Sequence, residues 1–468
     1  MARRKYPQVA VEISGLAFGG KGIARLDGLA VFVPNTVPGD QALVQITRRK
    51  KNFAEAYLSE LIEPSPDRVA APCHYSGVCG GCSWQFLRYE KQLEYKRRHV
   101  AESLEHIGGI KETPVHATLP SPTVFEYRNK MEFTCADRRW LMPAELRDPD
   151  VRKGFAIGLH VPGTFHKVID TQACLLQPDA GNRILCEIRD GIRSSGKPVY
   201  GLRSHEGFWR FVVLRSSTAS GRWLVNLVTA FEDAGAVREL ARRLRAAIPE
   251  VAAVVNNVSA RKAAIAVGEF ERPVDGDSSL RDRIGRFEFE ISANSFFQTN
   301  TRSAERLYDV VAAYAGLDGS ETVLDLYSGT GTIPIMLSGG CREVIGIEMA
   351  ASAVADARSN CRLNGIENCR FLLGDIQNCL PGLEVRPEVV VVDPPRIGMA
   401  REVVREVLKL GPERIVYVSC NPATLARDLA LLESDYQTLE IQAIDMFPHT
   451  FHVESVARLE RRHPRRRL

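Results

Sequence analysis

Long apolar runs are missing from this sequence of 468 residues. No stretch approaches the roughly 18 to 20 consecutive apolar residues that a membrane-spanning helix needs. The first residues, Met-Ala-Arg-Arg-Lys, lack the apolar core of a secretory signal. A strong charge of one sign is also missing, since the formal net charge is +4, and this value does not by itself indicate a polyanionic partner. We therefore expect a cytoplasmic protein without membrane contact.

The composition is typical of a globular protein with several domains. Hydrophobic residues make up 45% and charged residues 25% of the chain, which leaves little room for long disordered stretches. One hydrophobic core rarely organises so long a chain, so we expect two or three domains and a monomer. Basic clusters are compatible with phosphate contacts, although solvated faces carry them too. These clusters are Arg3 to Lys5, Arg48 to Lys51, Lys96 to Arg98, and a tail containing Arg461, Arg462 and Arg465 to Arg467.

Residues 6–62 read as short strands separated by turns. The stretch Gly-Leu-Ala-Phe-Gly-Gly-Lys-Gly at 15–22 and the turn Val-Pro-Gly-Asp at 37–40 supply residues that strand connections need. This stretch resembles the TRAM domain, a barrel of the oligonucleotide/oligosaccharide-binding type. Such barrels bind single-stranded nucleic acid through basic and aromatic side chains. The resemblance implies an RNA-binding domain over residues 1–64, with a simple spacer as the alternative.

Three of the eleven cysteines lie close together, with the spacing Cys-x5-Cys-x2-Cys at Cys73, Cys79 and Cys82. In a chain expected in the cytoplasm, such a group favours metal binding over a disulfide framework. Thiolates are ligands of iron–sulfur clusters and of zinc, and the spacing does not separate the two. Cys174 is the preferred fourth ligand over Cys135 or Cys186, because it follows the polar stretch Asp-Thr-Gln-Ala. Buried structural cysteines are the alternative. We expect these residues in a central α+β domain over residues 65–285.

From residue 286 onward, apolar strands alternate with helices, the pattern of a doubly wound sheet. The segment Val-Leu-Asp-Leu-Tyr-Ser-Gly-Thr-Gly-Thr at 323–332 is a strand followed by a glycine-rich turn, which is suited to binding a nucleoside. A second strand ends in Glu348, where a carboxylate can bind both ribose hydroxyls, and a third ends near Asp375, where one can meet an adenine. A Walker lysine is lacking, which argues against triphosphate chemistry. The pattern resembles S-adenosylmethionine methyltransferases, with a nicotinamide-dependent enzyme as the alternative.

Two later strands lead into polar motifs. One precedes Asp393-Pro-Pro-Arg-Ile-Gly, and the other precedes Ser-Cys420-Asn-Pro-Ala-Thr. Ligands of doubly wound sheets collect at the carboxyl ends of the strands, so we expect both side chains at one crevice. A lone cysteine is often an inert buried thiol, which is the alternative for Cys420. Glu454, in Asp-Met-Phe-Pro-His-Thr-Phe-His-Val-Glu, is a candidate general base or otherwise an exposed carboxylate on a last strand.

These motifs resemble both signatures of the RNA uracil-5-methyltransferase family, and the resemblance covers nearly the whole chain. It is closest to the bacterial 23S ribosomal RNA members, and it implies a C-terminal Rossmann-like S-adenosylmethionine-dependent methyltransferase domain over residues 286–468. It implies Cys420 as nucleophile, Glu454 as base, and a four-iron, four-sulfur (4Fe-4S) cluster on Cys73, Cys79, Cys82 and Cys174. The S-adenosylmethionine contacts that it implies are Gln298, Tyr327, Thr332, Glu348, Asp375 and Asp393. Thr332 departs from the asparagine that is frequent at this position.

The implied reaction explains the need for a thiol. Carbon 5 of uracil is too weak a nucleophile to take a methyl group, whereas addition of a thiolate to carbon 6 activates it. A base must then remove the proton on carbon 5. The target uridine must be flipped out, and Phe296, Phe297 and Phe447 are candidates for stacking. Transfer RNA is the alternative substrate, and a non-catalytic RNA-binding assembly factor is the alternative function. The gap of five residues differs from the Cys-x3-Cys-x2-Cys loop of radical enzymes, so we expect a structural or RNA-contacting cluster.

Overall fold

A computed structural model describes residues 6–462 of the chain. The basic residues Arg3 to Lys5 and Arg465 to Arg467 lie outside these described residues. Among the helices formed within 6–462, none combines the length and the apolar character needed to cross a bilayer.

The first five strands close into a barrel in the order β1-β2-β3-β5-β4. Alternating residues such as Val11, Ile13, Val31 and Val33 fill its interior, as expected for strands with one buried face. The predicted TRAM-like barrel is therefore confirmed. Its strands are β1 (Gln8–Leu16), β2 (Gly22–Leu26), β3 (Leu29–Val33), β4 (Gln41–Arg49) and β5 (Phe53–Glu63).

Helix α1 (Tyr89–Ser103) follows the cysteine-rich segment and continues into a π-helical turn at Leu104–Gly108. Its buried face carries the polar residues Gln92, Lys96 and His99, spaced about one helical turn apart. Lys96 is fully buried, whereas the neighbouring Arg97 and Arg98 are exposed. The interpretation of Lys96 as part of a phosphate-contacting cluster is therefore wrong, because this side chain points into the protein and pairs with Asp445.

Strand β6 (Val115–Leu119) pairs in parallel with a strand near the end of the chain. A mixed sheet of eight strands then forms in the order β14-β13-β12-β11-β7-β9-β10-β8, with two helices packed on it. The hairpin β15–β16 connects this sheet to the last part of the chain. These elements are β7 (Lys130–Ala136), β8 (Arg139–Trp140), β9 (Ala156–His160), β10 (Val168–Asp170), α2 (Asp179–Ser194), β11 (Trp209–Ser216), β12 (Trp223–Thr229), α3 (Ala234–Ala247), β13 (Val251–Val258), β14 (Phe270–Asp275), β15 (Ser279–Ile284) and β16 (Phe287–Ser292).

The last part of the chain is the predicted doubly wound sheet, in the order β19-β18-β17-β20-β21-β23-β22-β6. The strands from β19 to β21 run parallel, β23 is antiparallel to both of its neighbours, and β22 pairs in parallel with β6. Strand β6 completes the edge, so residues 115–119 of the predicted central segment belong to this sheet. Its elements are α4 (Thr301–Ala315), β17 (Thr322–Leu326), α5 (Thr332–Leu337), β18 (Glu343–Glu348), α6 (Ala351–Leu363), β19 (Cys369–Leu373), α7 (Ile376–Cys379), β20 (Val389–Val392), α8 (Arg401–Leu410), β21 (Arg414–Ser419), α9 (Pro422–Leu432), β22 (Tyr436–Ile444) and β23 (Glu454–Arg461).

Strand β20 shows how buried apolar side chains stabilise this sheet. All four of its residues are valines, and each is at most 2% exposed. Burying one such side chain contributes about 1.5–3 kcal/mol. Helices cover both faces of the sheet and leave open the edge where the parallel strands end, which is where ligands of this fold bind.

Candidate functional site

A cavity of about 950 Å³ opens at the carboxyl ends of strands β17, β18, β20 and β21. One end is lined by the glycine-rich turn after β17 and by the start of α6. The other end is lined by the loops after β20 and β21 and by the segment before β23. The cavity thus joins the two parts of the sequence in which we expected a nucleoside-like cofactor and a reactive thiol.

Glu348 is fixed beside the glycine-rich turn. Its Oε2 accepts a hydrogen bond of 3.0 Å from the Gly329 amide, and its Oε1 accepts one of 2.8 Å from the Ala350 amide. The turn is tight, because Tyr327 has a φ of 68° and Gly329 one of 53°, a region that non-glycine residues rarely adopt. Held in this way, the carboxylate lies at the rim where it can accept hydrogen bonds from vicinal hydroxyls.

Five of the six residues expected to contact the cofactor line this cavity. They are Gln298, Tyr327, Glu348, Asp375 and Asp393. Thr332 lies outside the lining at the start of α5, where its side chain contacts the hydroxyl of the buried Tyr308. Gln298 contacts the same hydroxyl, so Tyr308 connects the two.

Buried carboxyl groups lie behind the middle of the cavity. Burial raises the pKa of Asp393 to about 6. Burial, and then the neighbouring Asp393 and Glu348, raise the pKa of Asp325 well above its usual value. Within residues 6–462, neither carboxyl oxygen of Asp325 has a hydrogen-bond partner. A cationic ligand would stabilise the ionised forms of these groups. Asp325 was not among the expected site residues, although an aspartate inside the apolar strand Thr322–Leu326 is a detectable signal.

Cys420 and Glu454 come together through the pairing of two antiparallel strands. Ser419, the last residue of β21, pairs with Ser455 in β23. Cys420 follows Ser419 and Glu454 precedes Ser455, so the next opposed positions are those of the thiol and the carboxyl group. Both residues line the cavity, and Glu454 is 7% exposed. The alternative reading of Glu454 as an exposed carboxylate is therefore wrong.

Burial shifts both groups towards their neutral forms. Burial and the nearby Glu454 and Asp393 raise the pKa of the Cys420 thiol to about 11, while Arg396 opposes the shift. Burial and Asp393 raise the pKa of Glu454 to about 8, against the opposing effects of Arg396 and Lys96. Arg396 is therefore a cation that favours the thiolate and the carboxylate alike.

The loop after β20 is tied to the turn after β21. The Asn421 side chain donates a hydrogen bond of 3.0 Å to the Arg396 carbonyl, and Thr424 Oγ1 donates one of 3.3 Å to the same oxygen. Asn421 also caps α9 by accepting a hydrogen bond from the Ala423 amide. The motifs that contain Asp393 and Cys420 are consequently joined by hydrogen bonds and line the cavity together.

Helix α1 holds the segment before Glu454 in place through side-chain contacts. Lys96 Nζ lies 2.5 Å from Asp445 Oδ1 and donates a hydrogen bond of 3.0 Å to the Phe447 carbonyl. Gln92 accepts a hydrogen bond of 2.8 Å from the His449 amide. Since Asp445 also accepts a hydrogen bond from the Phe447 amide, the buried pair fixes the turn that leads to Glu454.

The three aromatic residues expected to stack on the base differ in their exposure. Phe296 is 69% exposed and lines the cavity, and Phe447 lines it as well. Phe297 is 5% exposed and packs in the core against Phe289. It is therefore not available for stacking on a base, because its ring is already covered.

The four cysteines expected as metal ligands line a second, smaller cavity: Cys73, Cys79, Cys82 and Cys174. Two hydrogen bonds point at their sulfurs, from the Gly81 amide to Cys79 Sγ at 3.3 Å and from Gln85 Nε2 to Cys82 Sγ at 3.2 Å. Burial and the neighbouring thiols raise the pKa of Cys79 to about 11 and that of Cys82 to about 12. Among residues 6–462, no three or more His, Cys, Asp or Glu side chains are grouped closely enough to hold a metal ion.

The chain is similar to known proteins over almost its whole length. A family model described as tRNA (uracil-5-)-methyltransferase matches residues 210–374 and 383–462, and a TRAM domain model matches residues 8–58. An uncharacterized RNA methyltransferase of Chlorobaculum tepidum is 43% identical, covering 93% of this chain and 92% of that protein. One of Porphyromonas gingivalis is 39% identical, covering 96% and 99%.

A solved structure shares the architecture. It is the Pyrococcus abyssi tRNA (uracil-54, C5)-methyltransferase in complex with S-adenosyl-L-homocysteine. The two chains are 30% identical, and the match covers 96% of this chain and 100% of the other with a TM-score of 0.75.

Proposed function

This chain belongs to the RNA uracil-5-methyltransferase family, whose members depend on S-adenosylmethionine, and we propose that Cys420 and Glu454 carry out the methylation of a uridine at carbon 5. The observation that carries this proposal is the opposed placement of the two residues on β21 and β23, inside the cavity that also contains Glu348 and the glycine-rich turn. A non-catalytic RNA-binding factor would need neither a thiol nor a buried carboxyl group at this position.

The reaction assigns one step to each residue. The thiolate of Cys420 adds to carbon 6 of the uracil, and the resulting enolate is nucleophilic at carbon 5. Bound S-adenosylmethionine supplies the methyl group that carbon 5 takes up. Glu454 then removes the proton from carbon 5, and the electron pair of that bond re-forms the carbon 5–carbon 6 double bond and expels the Cys420 thiolate. Asp393 lies between the cofactor end and the uracil end of the cavity and accepts hydrogen bonds from either ligand.

We infer that the cofactor's adenosine lies at the Glu348 end. Glu348 would accept hydrogen bonds from the ribose hydroxyls, and Asp375 from the adenine. Gln298 and Tyr327 would contact the methionine part. The buried carboxyl groups Asp325 and Asp393 fit a ligand that carries a positive sulfonium and an ammonium group, because each cation lowers the cost of ionising them.

As substrate we propose a uridine of 23S ribosomal RNA. The TRAM-like barrel and the four-cysteine segment, which transfer RNA members of the family often lack, support this choice. Transfer RNA is the second candidate, and the specific observation in its favour is the similarity to the Pyrococcus abyssi enzyme, which is a tRNA (uracil-54, C5)-methyltransferase.

We also propose that Cys73, Cys79, Cys82 and Cys174 bind a 4Fe-4S cluster with a structural or RNA-contacting role. Four thiols around one cavity repel each other as thiolates, so they fit a cationic centre, and the donors from Gly81 and Gln85 fit sulfur ligands of such a centre. A cluster is larger than a single ion and needs less closely grouped ligands. Iron and sulfide analysis of anaerobically purified protein tests this proposal. Cys174→Ser should lower the iron content, whereas Cys186→Ser should not, and zinc at one equivalent would contradict it.

Trapping with 5-fluorouridine tests the reaction. Fluorine on carbon 5 cannot be removed as a proton, so the adduct to Cys420 should persist on a denaturing gel in the presence of S-adenosylmethionine. Wild type should give this band with a 23S fragment, and Cys420→Ala should give none. A band with transfer RNA alone would change the substrate and keep the mechanism. No band with either RNA, despite bound cofactor, would contradict the covalent mechanism.

A further inference from the structure

Aromatic rings continue from the cavity rim towards the barrel. The His452 ring lines the cavity, and its centroid lies 4.2 Å from that of Phe451. The Phe451 ring in turn lies 5.5 Å from that of Phe18, edge to face. Phe18 belongs to the glycine-rich connection between β1 and β2 and is 41% exposed. We call these three rings the aromatic shelf.

The barrel connection that carries Phe18 is held in place by residues outside the barrel. The Trp84 indole donates a hydrogen bond of 3.2 Å to the Gly20 carbonyl, and His99 Nε2 donates one of 2.9 Å to the Leu16 carbonyl. A Cβ atom on Gly20 would lie 3.1 Å from Phe451 Cδ1. The barrel connection therefore sits directly against Phe451, and the distance between the barrel and the cavity rim is fixed.

The position of the shelf determines what can lie on it. A uridine whose base occupies the cavity remains bonded to its neighbours in the strand, so those nucleotides must lie on the surface just outside the rim. We propose that the aromatic shelf stacks the bases of the nucleotides next to the target uridine and guides the strand from the cavity to the barrel. This inference rests on the proposed function, since it takes the base in the cavity to be uracil.

Charge at the rim supports a nucleic acid strand. The Arg128 guanidinium lies over the Phe447 ring at 5.9 Å, and its buried Nε has no hydrogen-bond partner within residues 6–462. Burial, and then Arg396, Lys96 and Arg128, lower the pKa of His452 to about 4. The ring beside the cavity is thus neutral at physiological pH. Of the three cations, Lys96 is paired with Asp445, and Arg128 and Arg396 remain available for phosphate groups.

The test combines removal of an aromatic ring from the protein with removal of bases from the RNA. One probe is a fluorescent oligouridylate with one central 5-fluorouridine. The second probe is the same strand with abasic nucleotides on both sides of the 5-fluorouridine. Binding to the full chain is measured by fluorescence anisotropy. Since stacking on an aromatic side chain changes affinity by about 5- to 150-fold per base, the abasic probe should bind wild type about tenfold more weakly.

Phe451→Leu keeps the apolar contact with the barrel and removes the aromatic face. This variant should bind the intact probe several-fold more weakly and should discriminate less between the intact and the abasic probe than wild type does, since His452 and Phe18 remain. Phe18→Leu should weaken binding of a long oligouridylate and leave a trinucleotide unaffected, because Phe18 lies farther from the cavity. Phe231→Leu is the matched control, since Phe231 is 51% exposed and packs on Phe208 in the central domain. It should behave as wild type.

The two proposals fail in different ways. If Phe451→Leu binds like wild type and still discriminates against the abasic probe, the shelf does not stack RNA and is free for another partner. Wild type that binds neither probe would overturn the shelf in the same way. Failure of the proposed function shows instead as a missing covalent adduct with wild type, at RNA concentrations that saturate binding.

Discussion

At the residue scale, we expect the raised pKa values of Cys420 and Glu454 to determine how the rate depends on pH. The thiol, with its pKa raised to about 11, remains mostly protonated at neutral pH. The thiolate fraction of such a group rises about tenfold for each pH unit below its pKa. Adduct formation with 5-fluorouridine RNA should therefore keep rising between about pH 7 and about pH 9.5. A plateau below about pH 8 would show that bound RNA lowers the thiol pKa.

Two substitutions should move this pH profile in opposite directions. An ionised Glu454 disfavours the thiolate, so Glu454→Gln should shift the profile to lower pH. Arg396 favours the thiolate, so Arg396→Met should shift it to higher pH. Rapid-quench gels on both variants, with saturating RNA and cofactor, measure the shifts.

Glu454→Gln should also stop turnover after methyl transfer. Without a base, the proton on carbon 5 remains, so a methylated adduct with ordinary uridine RNA should accumulate on denaturing gels. Turnover should fall by about 10²- to 10⁴-fold, the usual contribution of a general base. Glu440→Gln, on β22 and away from the cavity lining, is the control and should turn over normally. Rapid release of methylated RNA by Glu454→Gln would assign the base to another group.

The proposed roles of these two residues come from the sequence, whereas some of their surroundings could not be predicted from it. Cys420 and Glu454 stand in motifs whose residues can be read in order. Lys96 looked like a member of a basic cluster, because burial of a side chain does not show in its neighbours along the chain. Asp325 is visible in the sequence as an aspartate in an apolar strand, but its proximity to Asp393 and Glu348 is not, because the pairing of parallel strands brings them together.

At the element scale, α1 supports the segment that leads to Glu454. Lys96→Met should leave Asp445 buried without its partner, at a cost of about 3–5 kcal/mol in the free energy of unfolding. Denaturant unfolding measures the loss. Lys91→Met, on the solvent side of the same helix, should leave stability unchanged, since its pair with Glu94 is at the surface.

The double variant Lys96→Met with Asp445→Leu separates burial from pairing. Removing both charges should restore part of the lost stability, because no unpaired charge remains in the core. Turnover should stay low even so, since the turn at Phe447 loses the hydrogen bonds that position Glu454. Equal losses of stability in the double variant and in Lys96→Met would show that the pair is not the source of the effect.

The local sequence pattern predicted the elements whose formation depends on neighbouring residues. The barrel strands and the alternating strands and helices after residue 286 follow from apolar periodicity and turn residues. The position of β6 at the edge of the last sheet did not follow, because its partner β22 lies more than 300 residues later in the chain. The contact between α1 and the segment before Glu454 could not be predicted for the same reason, because these two parts are also far apart in the sequence.

At the scale of the whole molecule, three distant segments meet beside Glu454. The amides of Ser83 and Trp84, which directly follow Cys82, both donate hydrogen bonds of 2.9 Å to the His449 carbonyl. The barrel connection lies against the same turn through Gly20 and Phe451. The four-cysteine segment, the barrel and the turn before Glu454 are thus in direct contact, so we expect a substitution in one of them to affect the others.

Substitution of two glycines, Gly20 and Gly28, tests this contact between the barrel and the turn. Gly20 and Gly28 have φ values of 85° and 79°, so an alanine at either position incurs a similar backbone strain of about 1–2 kcal/mol. An added Cβ meets Phe451 and Ser83 at Gly20, whereas it meets nothing within 4 Å at Gly28. Gly20→Ala should therefore weaken RNA binding and slow adduct formation beyond any loss of stability, while Gly28→Ala should lose stability alone. Equal adduct rates in the two variants would mean that the barrel and the turn before Glu454 act independently.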